Sequence, residues 1–370
     1  MNRPKVAVLR TTPQTVLDDY RRLMRLAEYQ AAISKTGETI LKLNLSWTKY
    51  FPACSSQPWQ VEGVVRTLIE DGYRREAIFP IENKTVVTNP RKGAMNNRWM
   101  PVLEKYGLPF IPLPEVEWIR YDFKSPLLKL NQIFPEGIQI PKMLVGKSII
   151  HLPTVKTHGH STTTGAIKNA FGGLLKEVRH YCHKHMHEVL VDLMMMQKEL
   201  HPGIFAAMDG TVCGDGAGPR TMRPVNRNIL LAGADPVALD ATAARLMGFD
   251  PLSIPYLRMA HERGLGVADP RHIELVGEPA LFDQNFGFRS RRSPVIWGDQ
   301  MLRRGPLRFL ERALLHSPLV VWAPFASNVY HDWLWYPTVG RSIIRRHAGT
   351  PWGRLFRHYA ETGPLGGGVS

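Results

Sequence analysis

At 370 residues, 44% of them hydrophobic and 9% aromatic, the chain is long enough for about two domains with real cores, and disorder is excluded for most of it. Its three cysteines, Cys54, Cys182 and Cys213, lie far apart and form no CxxC, which argues against a disulfide framework, a zinc ribbon or an iron–sulfur cluster on the chain's own thiols. The formal charge of +15 favours anionic partners, but the twelve Arg and four acidic residues after Gly287 carry +8 of it, so a catalytic body with a basic appendage fits better than a nucleic-acid-binding protein.

The chain opens on MNRPKVAVLR, a short charged start before a strand over Lys5–Leu9. The scattered cysteines make a reducing cytoplasm the expectation, and that apolar run is too brief for a signal peptide. Thr12-Pro13 leads a helix to about Ile33, with Pro near its start as an entry signal. In Thr39–Ser46, TILKLNLS, strand alternation puts Leu41, Leu43 and Leu45 on one face and Lys42, Asn44 and Ser46 on the other. An antiparallel sheet with one wet face accommodates this freely. In a parallel sheet both faces are covered, and a lysine there needs a task. A helix over Trp59–Gly72, a strand over Ala77–Ile81, a helix near Met95–Tyr106 and a strand over Pro109–Leu113 complete a doubly wound pattern. Glu82, at a strand's carboxyl end, is a candidate metal-binding carboxylate, with a turn-forming role equally open. Pro112–Gly146 is Pro-rich and irregular.

The stretch from His151 to Leu175, HLPTVKTHGHSTTTGAIKNAFGGLL, follows the apolar run Ser148–Ile150. It places two lysines, three histidines, four consecutive hydroxyl residues and an asparagine in one strand–loop–helix unit. Parallel sheets carry ligand sites beyond the carboxyl ends of their strands. Lys156, His158, His160 and Lys168 are therefore expected to line an active cleft, against the alternative of a polar surface loop. His158 is the candidate acid/base, since imidazole titrates nearest neutrality. Asn169 joins Lys42, Asn44 and His160 as a candidate cofactor contact. A helix follows over Lys184–Glu199. His180, His183 and His187 share one helical face if it starts early; that spacing can bind a metal, but a structural role is favoured.

Gly203–Met208 reads as a buried strand ending in Asp209, a candidate metal ligand. The loop Thr211–Arg220 is glycine-rich, and Gly214 and Gly216 are candidates for close backbone approach to an anion, though no GxGxxG or Walker pattern is present. After a strand over Ile229–Ala232, the helix Pro236–Met247 has Asp235 as N-cap and Pro at its first position. Asp240 inside it is paired or functional if buried, and is a third candidate metal ligand. A short helix over Tyr256–Gly264 and a strand over His272–Val276 follow.

From Phe282 onward the composition changes. Five of nine tryptophans, Trp297, Trp322, Trp333, Trp335 and Trp352, lie there among arginines. Such segments, Leu314–Ala326 among them, suit a membrane interface or a partner groove; burial against the body is the plain alternative. No apolar run reaches the roughly 18 residues of a spanning helix. Gly363–Ser370 reads as a frayed end.

These motifs together resemble a bacterial and archaeal family, domain-of-unknown-function family 362. VKTHGHSTTTGAIKNAFGGLL, MDGTVCGDGAGPR, LLAGADPVALDATAARLMGFDP and GLGVADPRHIELVGE occur in order, and LKLNL looks like the family's lysine-proline-asparagine strand with Leu43 in place of proline. The resemblance covers roughly Lys5 to Glu278. Many members carry a ferredoxin-like domain, whose cysteines this chain lacks. A shorter stretch, His158 to Gly172, is similar to nickel-dependent lactate racemase. That likeness implies that His158, His160 and Lys168 hold a metal-bearing cofactor and move a proton or hydride.

The reading is an α/β fold of two α/β sections with mostly parallel sheets, residues 1–145 and 146–280, plus an irregular or helical C-terminal extension, 281–370. The expected function is metal- or cofactor-assisted redox or isomerisation chemistry on a small anionic substrate. Catalysis falls to His158, Lys168 and Lys156, cofactor binding to Lys42, Asn44, His160, Asn169, Gly214 and Gly216, and a divalent metal or metal-bearing cofactor to Asp209, Glu82 and Asp240. The alternative is a non-catalytic anion-binding module docked through its basic tail to a membrane surface or a protein complex. Nucleic acid is not an expected partner.

Overall fold

A computed structural model of the chain describes residues 3–85, 87–315 and 322–365. In chain order its main elements are β1 (Lys5–Arg10), α1 (Val16–Leu26), α2 (Tyr29–Ala32), β2 (Thr39–Lys42), α3 (Pro58–Glu70), β3 (Ile78–Glu82), α4 (Pro90–Asn96), α5 (Trp99–Lys105), β4 (Ile111–Pro112), β5 (Trp118–Arg120), α6 (Leu130–Ile133), β6 (Gln139–Pro141), β7 (Ser148–His151), β8 (Thr154–His158) and β9 (Thr162–Thr163). There follow α7 (Ala166–Leu174), α8 (Met186–Leu200), β10 (Ile204–Ala217), β11 (Thr221–Gly233), α9 (Pro236–Met247), α10 (Pro255–Glu262), β12 (Glu274–Gly277), α11 (Pro294–Arg303), α12 (Glu311–Leu315), α13 (Trp322–Asn328), α14 (Arg341–Ala348) and α15 (Pro351–Glu361).

One sheet runs β12-β1-β11-β10-β7-β2-β3-β4, with β8 added against β10. Pairing is mostly parallel, as expected, and turns antiparallel where β11 meets β1 and β10. The two α/β sections feed this single sheet, because β7 lies between β2 and β10.

Both faces are covered. Val6, Val8, Ile40, Ile149 and Met208 pack with α7, α8 and α9. Their strand neighbours Ala7, Leu9, Leu41, Ile150 and Ala207 pack with α1, α3 and α5 on the other side. This period-two split of buried residues is what a doubly covered sheet requires. The alternation expected for TILKLNLS holds: Leu41, Leu43 and Leu45 share the second core, and Lys42 is buried on the opposite face.

The helix Pro236–Met247 lies where its signals place it, with Asp235 Oδ1 accepting from the N–H groups of Val237 and Ala238. The glycine-rich stretch corrects the reading. Thr211–Arg220 is mostly strand, since β10 continues to Ala217 and pairs antiparallel with β11. Gly214 there serves close packing, since a Cβ on it would lie 2.4 Å from Met222 Sδ and 3.0 Å from Lys156 Cβ, and Gly216 supplies a left-handed φ of 108° in open space.

The described residues after β12 are mostly helical and pack on the body. Trp352 is buried, donates to Asn228 Oδ1 at 2.7 Å and lies on Trp59 with ring centroids 5.2 Å apart. Tyr359 Oη donates to the buried Glu62, and Trp47 Nε1 donates to Asp332 Oδ1 at 2.8 Å. Trp297, Phe309, Phe325, Trp333 and Leu334 stay more than half exposed. Part of the Leu314–Ala326 stretch (316–321), part of the Gly363–Ser370 end (366–370) and the His180 side chain fall outside the described residues.

Candidate functional site

The carboxyl ends of β2, β3 and β8 deliver Lys42, Glu82 and His158 to one cavity of about 480 Å³. That volume lies in the usual range for small-molecule sites. Helix α7 adds Lys168, Asn169 and Phe171. The turn after β8 adds His160, the segment before α8 adds His183, and the β10–β11 turn adds Arg220. The far wall comes from the C-terminal region: Ile296, Asp299 and Arg303 of α11, Ser327 of α13 and His331. That wall is pinned to the sheet. Gln300 Nε2 donates to Gly159 O at 3.0 Å, Ser290 Oγ to His158 O at 3.0 Å, and Arg291 N–H to Gly216 O at 2.9 Å.

The cavity floor is a polar network inside the core. Lys42 Nζ donates to Glu82 Oε1 at 2.7 Å, and both side chains are at most 3% exposed. Gly172 leaves room for this lysine, because a Cβ there would stand 3.3 Å from Nζ. Asn169 Nδ2 donates to Lys42 O at 3.0 Å, and Asn44 Nδ2 donates to Asn169 Oδ1 at 3.3 Å. Asn44 Oδ1 in turn accepts from Lys156 Nζ at 2.6 Å, and Thr154 Oγ1 accepts a second bond at 2.6 Å. His151 reinforces the floor from below, paired with Gln197 Oε1 at 2.6 Å. A buried polar group is tolerable only when bonded, and most polar atoms of this floor bond one another.

Burial sets the charge states. The Lys156 ammonium loses its hydration, and its pKa falls to about 8. His158 is pushed well below the ordinary imidazole value, first by burial and then by the Lys168 charge. His158 Nδ1 accepts the His160 N–H at 3.1 Å, so the neutral ring carries its proton on Nε2.

Of the candidates from sequence, the cavity is lined by Lys42, Asn44, Glu82, His158, His160, Lys168 and Asn169. Lys156 lies beneath the wall and positions Asn44. The others have structural work elsewhere. Asp209 is wholly buried in the middle of β10 and accepts from Tyr20 Oη, Trp59 Nε1, and both the N–H and Oγ1 of Thr211 at 2.7–3.0 Å. Four donors fill a carboxylate's acceptor sites, leaving none for a metal. Asp240 caps α7 from outside, accepting from Ala166 N at 2.7 Å and Ile167 N at 3.1 Å. Burial pushes its pKa up to about 7. Gly214 and Gly216 do not line the cavity. Glu82 does, but with the Lys42 ammonium on its Oε1.

Sequence reasoning did not single out Arg220, Asp299, Arg303 or His331. Arg220 is held by Ser327 Oγ at 2.9 Å, and its Nη1 is buried without a hydrogen-bond partner among the described residues. Arg303 donates from Nε to Asp299 Oδ1 at 2.8 Å, and its Nη1 is likewise buried and unpartnered among those residues. Two of these signals were visible: an arginine closing the glycine-rich motif, and the i,i+4 pair Asp299/Arg303 on a helix.

Residues 39–245 match the family described as domain of unknown function (DUF362). That span holds the sheet side of the cavity and ends before the wall of α11 and α13. The chain is also similar to a thylakoid-associated protein of Synechocystis sp., 26% identical over 230 residues. The alignment covers 60% of this chain and 65% of the relative, just under two thirds of its length.

Proposed function

The chain belongs to the domain-of-unknown-function family 362, and from that premise we propose that its cavity binds a small organic anion. The observation that carries this reading is that two arginines of the cavity lining, Arg220 and Arg303, each keep a guanidinium Nη1 buried without a hydrogen-bond partner among the described residues. A buried donor of that kind is costly unless a ligand acceptor meets it. Lys168 adds a third cation to the lining, and a carboxylate or phosphate matches all three. Beside them Phe171, Val295 and Ile296 supply apolar contacts for a carbon skeleton. His158, held neutral with its proton on Nε2, offers the ligand a hydrogen-bond donor at the cavity wall. Lys42, Glu82, Asn44 and Asn169 fix the floor.

The test is a thermal-shift panel of small carboxylates and phosphates on the full chain, with Arg220→Met and Lys168→Met alongside. At least one anion raises the wild-type melting temperature, and both variants lose most of that shift. Equal shifts in all three proteins, or none in the wild type, would overturn the reading.

A second reading concerns docking. The exposed Trp297, Phe309, Phe325, Trp333 and Leu334 sit in a segment carrying +8, a combination suited to an anionic bilayer surface. The Synechocystis relative is described as thylakoid-associated, which supports the same idea. No helix among the described residues is long and apolar enough to cross a membrane. Flotation with phosphatidylglycerol vesicles, compared with Phe325→Ser/Trp333→Ser, decides it: the wild type floats and the variant does not, and equal behaviour refutes docking through this face.

A further inference from the structure

We propose that His160, His183 and Asp299 bind a divalent first-row transition ion at the wall of the cavity. They come from three separate segments: the turn after β8, the stretch before α8, and α11. One ligand atom from each lies within 4.8 Å of those from the other two. Asp299 Oδ2 stands 3.9 Å from His160 Nε2 and 3.9 Å from His183 Nδ1. Those separations are too long for hydrogen bonds. Asp299 Oδ2 is nonetheless buried, and it has no hydrogen-bond partner among the described residues. The packing therefore brings a carboxylate oxygen between two imidazoles without joining them directly.

An ion supplies the missing bond. Metal–ligand distances of about 2.0–2.1 Å in a tetrahedral site put ligand atoms roughly 3.3 Å apart, so side-chain rotation closes the gap from 3.9 Å. Asp299 Oδ1 is already held by Arg303 Nε at 2.8 Å, which orients the carboxylate as outer partners orient metal ligands elsewhere. The imidazoles are stacked, with centroids 4.7 Å apart and planes at 19°. Two histidines and one carboxylate suit zinc or ferrous iron and leave coordination positions open.

All three residues line the cavity, so the open positions face it. The inference deepens the anionic-ligand reading and rests on it only for what fills those positions. A ligand oxygen placed there, with Arg220 and Lys168 nearby, is bound by metal and cation together. One ligand lies outside the family match, on α11. The site thus joins the family's body to this chain's C-terminal region.

The experiment uses tag-free, EDTA-treated full chain titrated with Co²⁺ and Zn²⁺ alone, read by cobalt ligand-field absorbance and by calorimetry. We expect one equivalent bound. Asp299→Asn and His183→Gln each weaken it at least tenfold, while His272→Gln, at an exposed histidine, leaves it unchanged. Circular dichroism establishes that each variant is folded. If Asp299→Asn unfolds, His183→Gln decides. Absence of a saturable cobalt site in the wild type, or wild-type affinity in a folded Asp299→Asn or His183→Gln, overturns the inference. Anion binding by EDTA-treated protein without a cobalt site would sink this inference alone; cobalt binding without any anion affinity would sink the anionic-ligand reading alone.

Discussion

Removing one member of the Lys42–Glu82 pair should cost more than removing both. The pair is held at 2.7 Å with both side chains at most 3% exposed, so both charges are largely stripped of water at the cavity floor. Lys42→Met takes the ammonium away from Glu82 Oε1, which keeps the Asn83 N–H at 2.7 Å. Breaking a buried pair from one side costs about 3–5 kcal/mol, and we expect this variant to fall there. Glu82→Gln costs less, roughly 2–3 kcal/mol, because the ammonium keeps Leu43 O and an amide oxygen as acceptors. The double variant buries two neutral groups of similar volume, and it should cost under about 2 kcal/mol. The assay is urea unfolding followed by tryptophan fluorescence for the four proteins of the cycle. Additivity of the single variants within about 0.5 kcal/mol would refute the claim that the floor is a buried, coupled ion pair.

Three further predictions concern stability. Asp240, pushed up to about 7 from 3.8, binds a proton in the folded state that the unfolded chain has released. Its contribution is therefore full below about 4 and is lost as pH rises through about 7, an effect on the order of 4 kcal/mol; urea midpoints across that range should slope less in Asp240→Asn than in the wild type. Lys156, depressed from 10.5 to about 8, has the opposite sign in pH. Its contribution is full above 10.5 and is lost as pH falls through about 8, and Lys156→Met removes that slope. Trp352→Ala should destabilise the whole chain by about 3–5 kcal/mol, because the indole fills the contact with Trp59 and holds Asn228; an unchanged unfolding midpoint would mean that the C-terminal region does not pack on the body.

Much of the sheet side of the site was legible because its signals are local. The alternation of TILKLNLS predicts which way Lys42 and Asn44 face, and the mixture in His151–Leu175 is too polar for a plain core unit. Asp235 and Pro236 mark their helix by chemistry that acts over one turn. The far wall was not legible, because nothing local ties Gln300 to Gly159, 141 residues away. Asp209 misled for the related reason that its partners Tyr20 and Trp59 are 189 and 150 residues distant. From sequence, an aspartate after an apolar run looks poised for catalysis; only the fold reveals two aromatic donors closing on it. The glycines of DGTVCGDGAGPR misled because glycine serves an anion cradle and a tightly packed hairpin equally well.

The central claim is that the cavity between sheet and C-terminal wall is built to hold an anion. Calorimetric titration of the full, EDTA-treated chain with pyrophosphate and with oxalate, beside an Arg220→Met/Arg303→Met variant, tests it most directly. Loss of a charge-assisted hydrogen bond costs about 1.5–3 kcal/mol. The account therefore predicts one saturable site in the wild type for at least one of these anions, weakened by more than about tenfold in the variant. No saturable binding of either anion, or equal affinity in both proteins, would contradict it.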